Sequence, residues 1–154
     1  MPSAKARTPN DESFLKRHGL GLAASALLLL WFLLYLPANP STHSGGFFGN
    51  AIADWTGTVV MIYATKYLYE VGSSESRHPR RHRPGLVHFL KYHSLTLFLV
   101  ITGVLWLALY LRMDSNSKWG QVVGNIVSEW TQVLGLVILT KRLIEKGSKE
   151  SDSR

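Results

Sequence analysis

One stretch of this sequence occurs twice, and the two copies start 75 residues apart. Residues 55–76 read WTGTVVMIYATKYLYEVGSSES, and residues 130–151 read WTQVLGLVILTKRLIEKGSKES. The same register extends upstream without a gap, so that 24 of 63 positions are identical between residues 14–76 and 89–151. Two Leu-rich segments match by chance mainly at leucines. Here Trp, His, Asn, Lys and Gly residues also match in one register, which indicates an internal duplication.

Each copy contains two long apolar segments. Residues 20–36 and 95–111 both run for 17 residues without a charge. A helix of about 20 residues crosses the hydrocarbon core of a bilayer, and neither run has the polar face of an amphipathic soluble helix. The sequence therefore predicts an all-α integral membrane protein. Its predicted spans lie near residues 18–37, 47–69, 87–111 and 120–144.

The duplication predicts how these spans are organised. Two spans per copy make each copy a helical hairpin, and an even number of spans makes the two hairpins parallel. We expect a four-helix bundle with a pseudo-twofold axis along the membrane normal. The predicted divisions are an N-terminal tail (1–13), a first hairpin (14–76), a basic linker (77–88), a second hairpin (89–151) and a C-terminal tail (152–154).

Basic residues predict the orientation in the membrane. Of the 17 Lys and Arg residues, 15 lie in the tails, in the linker or beside them. The positive-inside rule then places both termini in the cytoplasm. We expect the protein to lie in the inner (cytoplasmic) membrane. In this setting the net charge of +7 points to anionic lipid, with no nucleic-acid partner expected. The residues expected to face lipid headgroups are Arg77, Arg80, Arg81 and Arg83.

Polar residues gather on one face of the second and fourth predicted helices. A carboxylate stands near mid-span in each, Asp54 in one and Glu129 in the other, with Asn50 and Asn125 one turn before them. Gln132 lies on the same face as Glu129. Carboxylates are costly within a bilayer and normally face a bundle interior or water. These five residues are our candidate ion-binding centre.

Two interpretations of this polar face remain open. In the first, Asp54 and Glu129 titrate or coordinate a cation, with the asparagines as hydrogen-bond partners. In the second, the polar groups lock neighbouring helices together by hydrogen bonds. Small residues at four-residue spacing on the same helices favour close packing or an oligomer contact. These residues are Gly49, Ala53, Gly57, Gly120, Gly124 and Ser128.

Two histidines, His18 and His93, match in the repeat at one end of the first and third spans. They are weak candidates for haem ligands, and interfacial histidines are the simpler interpretation. Lys66 with Glu70, and Lys141 with Glu145, are spaced i,i+4 at the helix ends, but Lys precedes Glu, which is the weaker order for a helix pair. Lysines that reach the interface are the simpler interpretation. Four aromatic residues at the opposite ends of their helices predict an interfacial belt. They are Trp31, Tyr35, Trp106 and Tyr110.

Several functional classes are disfavoured. The chain has no cysteine, which excludes disulfides, thiolate metal sites and cysteine nucleophiles. The sequence also shows no phosphate-binding loop, no zinc-protease motif and no Ser/His/Asp set, so we do not expect an enzyme or a cofactor.

The pattern FLKRHGL, a hydrophobic helix, a short loop and then W-T…T-K-x-L-x-E-x-G-S-x-E-S resembles an uncharacterised family of small bacterial four-helix membrane proteins, a domain of unknown function. The resemblance covers residues 14–152. It implies a bacterial cytoplasmic membrane location and assigns no functional residue.

The sequence thus favours a small proton- or cation-linked transport or channel module, assembled as a homo-oligomer. The alternative is a structural or accessory subunit whose polar face docks a membrane-protein partner. A haem-binding electron-transfer protein is a weaker alternative.

Overall fold

The computed structural model describes residues 14–70 and 85–141, together with residues 75 and 143. All regular structure in these ranges is helical, and it comprises five helices. They are α1 (Phe14–Tyr35), α2 (His43–Tyr67), α3 (Leu86–Tyr92), α4 (Ser94–Arg112) and α5 (Lys118–Leu139). The prediction of an all-α chain is confirmed.

Three of these helices are long and apolar enough to cross a membrane: α1 within His18–Tyr35, α4 over Ser94–Arg112 and α5 over Lys118–Leu139. α2 has the length but is not among them, since it carries Asn50, Asp54 and several glycines. The surface supports a membrane location, because large apolar side chains are exposed along α1 and α4, as in Leu29, Ile101 and Leu105. Exposed apolar faces of this extent are unusual in a soluble monomer.

The predicted third span is divided at His93, where α3 ends and α4 begins. The segment that follows α2 forms hydrogen bonds with the chain at this point. Leu95 donates its backbone N–H to the carbonyl of Tyr69 at 3.1 Å, and Ser94 Oγ accepts from the Tyr69 N–H at 2.9 Å. The prediction of one continuous helix was wrong here, because the first turn of α4 bonds to another segment of the chain.

The loop before α5 is fixed by its own side chains. Ser117 Oγ accepts from the N–H of Gly120 at 3.0 Å and donates to the carbonyl of Asp114 at 2.6 Å. This is an N-cap that satisfies a free helix amide. A Cβ on Gly120 would lie 2.0 Å from that Asp114 carbonyl oxygen, so the position requires glycine.

The loop before α2 is built in the same way. Thr42 Oγ1 accepts from the N–H of Gly45 at 3.1 Å and donates to the carbonyl of Asn39 at 2.7 Å. A Cβ on Gly45 would lie 1.9 Å from the Asn39 oxygen. Gly45 and Gly120 are 75 positions apart, so the same loop contacts recur at the repeat interval.

The helices pack in the order α1, α2, α5, α4, and among the described residues no extended contact joins α1 to α4. α2 and α5 are therefore central, and their seam forms the middle of the molecule. The buried core lies along this row and includes Ile52, Ala53, Leu99, Ile126 and Trp130.

Tyr35 belongs to this core, being 1% exposed. Its hydroxyl donates to the backbone carbonyl of Lys118 at 2.8 Å. The belt interpretation was wrong for Tyr35, because the end of α1 faces the start of α5. Lys118 in turn caps α1 by donating from Nζ to the carbonyls of Leu36 and Ala38 at 2.8 and 2.7 Å.

Candidate functional site

The predicted polar residues of α2 and α5 meet across the central seam. Asn125 Nδ2 donates to Asn50 Oδ1, which joins the two asparagines that occupy equivalent positions in the repeat. A hydrogen bond between side-chain amides of two membrane helices holds the helices in register. The two candidate asparagines therefore lie together at the seam.

One turn further along, Asp54 and Glu129 face each other across the seam, because both line the same two clefts. Two carboxyl groups share a hydrogen bond only when one of them carries a proton, because a carboxylate only accepts. Gln132 Nε2 also donates to Glu129 Oε1, at 3.3 Å. The cluster thus contains two facing carboxyl groups and an amide donor.

Gly57 brings the two helices close beside this pair. A Cβ placed on Gly57 would lie 3.9 Å from Glu129 Cβ and 3.9 Å from a methyl group of Val133. The predicted packing residue Ala53 is fully buried, with 0% exposure. Ala53 and Gly57 therefore both lie on the buried face of α2.

The other small residues have different neighbours. Gly49 lies against the ring of Tyr35 and Gly124 against the ring of Tyr110: a Cβ added at these positions would lie 3.3 Å and 2.9 Å from the respective ring. The absence of a side chain at these two glycines leaves room for tyrosines of α1 and α4. Gly120 leaves room for the backbone carbonyl of Asp114 in the same way. Ser128 is exposed.

Three adjoining clefts follow the α2–α5 seam. The middle cleft, of about 260 Å³, contains the carboxyl pair and is lined by Asn50, Asp54, Asn125, Ser128 and Glu129. A cleft of about 480 Å³ shares the two asparagines and extends to Ser115 and Gln121. A cleft of about 300 Å³ shares the two carboxyls and extends the other way to Glu75. The seam is therefore a groove with carboxyls midway along it.

The groove is open on one side in a single chain. Asn50, Asp54, Ser128 and Gln132 are exposed, and Glu129 is partly buried. Exposed amide and carboxyl groups are unfavourable against hydrocarbon, where no water satisfies them. In a bilayer this open side needs water or another polypeptide over it.

A second polar cluster lies where the segment after α2 meets the start of α4. The sequence analysis did not predict it. The carboxylate of Glu70 is fully buried, with 0% side-chain exposure; it forms an ion pair with Lys141 and a hydrogen bond with His93 Nδ1, the latter at 2.6 Å. Its other oxygen accepts the backbone N–H of Thr96 at 3.2 Å. A carboxylate at the start of α4 is also favoured by the helix dipole.

This cluster joins the two copies of the repeat. Glu70 is bound by Lys141 of the other copy, not by Lys66 of its own helix. Burial favours a raised pKa for the Glu70 carboxyl, but hydrogen bonds from Lys141, Thr96 and His93 outweigh it and hold the pKa below its ordinary value. Glu145, which is spaced i,i+4 from Lys141, lies outside the described residues.

The two histidines are engaged separately. His93 binds Glu70, as described, and His18 Nδ1 lies 3.1 Å from Lys66 Nζ. They stand at the start of α1 and before α4, helices without extended contact. The structure does not bring the weak haem-ligand candidates together. Within the described part of the chain, no group of three His, Asp or Glu side chains is placed to hold a metal ion.

The remaining predicted residues, Arg77, Arg80, Arg81 and Arg83, lie outside the described part of the chain. No protein-family model, curated protein or solved structure matches this chain. The chemistry of the site therefore rests on its own geometry.

Proposed function

We propose that this protein is a small membrane module that carries protons or small cations along the α2–α5 seam. The observation that carries the proposal is that Asp54 and Glu129 together line two of the three adjoining clefts along this seam. Membrane carboxylates that face a polar cavity characterise proton relays and ion pathways.

The groups in the groove fit this role. Carboxylate and amide oxygens are the ligands that hard cations prefer, and a carboxyl pair also holds or releases a single proton. Glu75 lies on the groove beyond the pair, and Gln121 lies on it in the opposite direction. Polar groups therefore flank the carboxyls on both sides, as a pathway requires.

The proposed architecture is the one expected from the repeat. In this architecture α2 also crosses the membrane, in addition to α1, α4 and α5. α2 and α5 together form the centre of a bundle of two parallel hairpins. The distribution of Lys and Arg supports cytoplasmic termini and an inner-membrane location. The open side of the groove supports a homo-oligomer, because a second copy would cover Ser128 and Gln132 and separate them from lipid. The proposal gives the protein a transport role and no catalytic one.

The test is flux through purified protein in liposomes, measured with a pH-sensitive dye for protons and with ion-sensitive dyes for Na⁺ and K⁺. We expect flux above that of protein-free vesicles. Replacing both carboxyls, Asp54→Asn with Glu129→Gln, should reduce it to the protein-free level, since neither amide binds a proton at neutral pH.

Asp114→Asn is the matched control, because it removes one carboxylate from an exposed loop. Asparagine keeps the acceptor oxygen that binds the Asn116 N–H at 2.9 Å, so the loop should fold and flux should persist. Helical circular dichroism and monodisperse elution establish that every variant is folded. Unchanged flux in the folded double variant would overturn the transport proposal.

An accessory role is the second candidate. The Asn50–Asn125 bond and the burial of Ala53 also describe a helix lock, and the exposed Ser128 and Gln132 offer donors and acceptors to a partner helix. Under this alternative, a single membrane protein co-purifies in fixed stoichiometry, and Gln132→Leu abolishes the association. Recovery of the chain without a partner, together with carboxyl-dependent flux, would exclude it.

A further inference from the structure

The hydrogen bond between Asn50 and Asn125 lies where two clefts of the α2–α5 seam meet. Both asparagines line the cleft of about 480 Å³ that extends to Ser115 in the loop before α5, which we call the loop-side cleft. Both also line the middle cleft of about 260 Å³, which contains Asp54 and Glu129. Asn125 Nδ2 donates to Asn50 Oδ1, so one side chain from each helix reaches across the seam at this level. An ion that moves from the loop-side cleft to the carboxyls therefore meets this bond first.

Other contacts hold α2 and α5 together on both sides of this bond. Towards the loops, the ring of Tyr35 lies against Gly49 of α2, and its hydroxyl donates to the backbone carbonyl of Lys118 in α5 at 2.8 Å. In the opposite direction, a Cβ added at Gly57 of α2 would lie 3.9 Å from the Cβ of Glu129 in α5. The bond between the asparagines therefore breaks by rotation of two side chains, and the helices need not separate.

Two side-chain amides have the chemistry of a barrier that opens. A single hydrogen bond between polar side chains is weak, and its loss changes an equilibrium only about fivefold. Each amide carries both donors and an acceptor. When the bond is broken, the amide oxygens face the seam and bind a cation or its water in place of each other. Pathways through membrane proteins are controlled at narrow points by the side chains that line them.

We propose that the hydrogen bond between Asn50 and Asn125 is a gate, which closes the loop-side cleft from the carboxyls of the middle cleft. The gate rests on the transport role proposed above, to which it adds the step that controls entry to Asp54 and Glu129. While the bond is intact, the two amides block the seam. Entry requires the amides to rotate apart, with α2 and α5 still packed against each other.

Thiol modification tests the gate without measuring flux, because the chain has no cysteine of its own. Ser115→Cys places a thiol in the loop-side cleft, and Glu129→Cys places one in the middle cleft. A membrane-impermeant cationic methanethiosulfonate is added outside sealed vesicles that contain the protein. The fraction of Ser115→Cys that reacts gives the fraction of chains whose loop before α5 lies outside. We expect Glu129→Cys in these chains to react more slowly than Ser115→Cys.

Asn125→Ala removes the donor of the bond. Its addition should raise the rate at Glu129→Cys about fivefold, the effect of one lost hydrogen bond, and should leave the rate at Ser115→Cys unchanged. Asn50→Ala removes the acceptor and should give the same increase, so it replaces Asn125→Ala if that variant does not fold. Asn116→Ala is the matched control, because it makes the same change at an exposed asparagine of the loop. It should change the rate at Glu129→Cys no more than about twofold, as surface substitutions do.

Two results would overturn the gate. Equal rates at Glu129→Cys with and without Asn125→Ala would show that the bond does not obstruct the seam. A purely structural bond would instead let the helices separate when it is lost. In that case Asn125→Ala would also prevent the disulfide between Gly57→Cys and Glu129→Cys, which close packing of α2 and α5 otherwise allows.

The gate and the transport role fail separately. Faster modification in Asn125→Ala, together with no flux through the natural protein, would overturn transport and retain the asparagine pair as a barrier within the seam. Carboxyl-dependent flux, together with no effect of Asn125→Ala on modification, would retain transport and overturn the gate.

Discussion

Replacing Glu70 with alanine is expected to lower the free energy of unfolding by about 3 kcal/mol, at the low end of the range for removing one partner of a buried ion pair. The carboxylate is fully buried, whereas His93 and Lys141 are 29% and 26% exposed. Both side chains can be hydrated when Glu70 is removed, and this limits the cost. The variant also loses the acceptor for the Thr96 N–H at the start of α4.

Glu70→Gln separates the charge from the hydrogen bonds. Its amide oxygen still accepts from Thr96, so we expect a smaller loss, about 1–2 kcal/mol. Unfolding in detergent mixed with increasing SDS gives both values. A loss below about 0.5 kcal/mol for Glu70→Ala, the size of an ordinary surface substitution, would contradict the buried cluster.

The same cluster predicts how stability depends on pH. The pKa of Glu70 is lower in the folded protein than its ordinary value of 4.5. Its stabilisation is therefore complete above that ordinary value and is lost as the pH falls through the lowered pKa of the folded state. The acid-induced loss of stability should be smaller in Glu70→Gln than in the natural protein.

Gly120→Ala is expected to destabilise the protein by about 3 kcal/mol, the upper part of the range for overpacked sites. The new methyl group would lie 2.0 Å from the backbone oxygen of Asp114 and 2.8 Å from Ser117 Oγ. A backbone oxygen cannot rotate away as a side chain does, so the N-capping loop must open. The N-cap bond from Gly120 to Ser117 would be weakened with it.

Gly135→Ala is the matched control, because it makes the same change in the same helix. Nothing lies within 4 Å of a Cβ at this position, and alanine is the better helix former by about 0.5–1 kcal/mol. We expect unchanged or slightly higher stability in the same SDS titration. Equal behaviour of Gly120→Ala and Gly135→Ala would mean that the loop does not contact the start of α5 as described.

Much of the local structure could be predicted from the sequence. The apolar runs predicted helices in the right places, and the polar face of α5 predicted that Asn125 and Glu129 lie together. The repeat suggested that Asn50 and Asp54 are their counterparts on α2. These predictions depend on helix periodicity, which is a local property of the chain.

Contacts between distant segments could not be predicted in this way. The spacing of Lys66 and Glu70 gave no indication of Lys141, but the segment after α2 reaches the start of α4, where Glu70 binds Lys141. Tyr35 resembled an interfacial aromatic residue, yet its ring fills the space left by Gly49. Both outcomes depend on how helices pack, and spacing within one helix carries no information about that.

The central claim is that α2 and α5 pack closely enough to place Asp54 and Glu129 in one site. Because the chain has no cysteine, a Gly57→Cys with Glu129→Cys variant tests it directly. A Cβ on Gly57 would lie 3.9 Å from Glu129 Cβ, within the range of about 3.5–4.5 Å that a disulfide requires. We predict an intramolecular disulfide on mild oxidation in the membrane, and none in Gly57→Cys with Gly135→Cys, because Gly135 has no neighbour within 4 Å. Free thiols or only intermolecular crosslinks in the first variant would contradict the account.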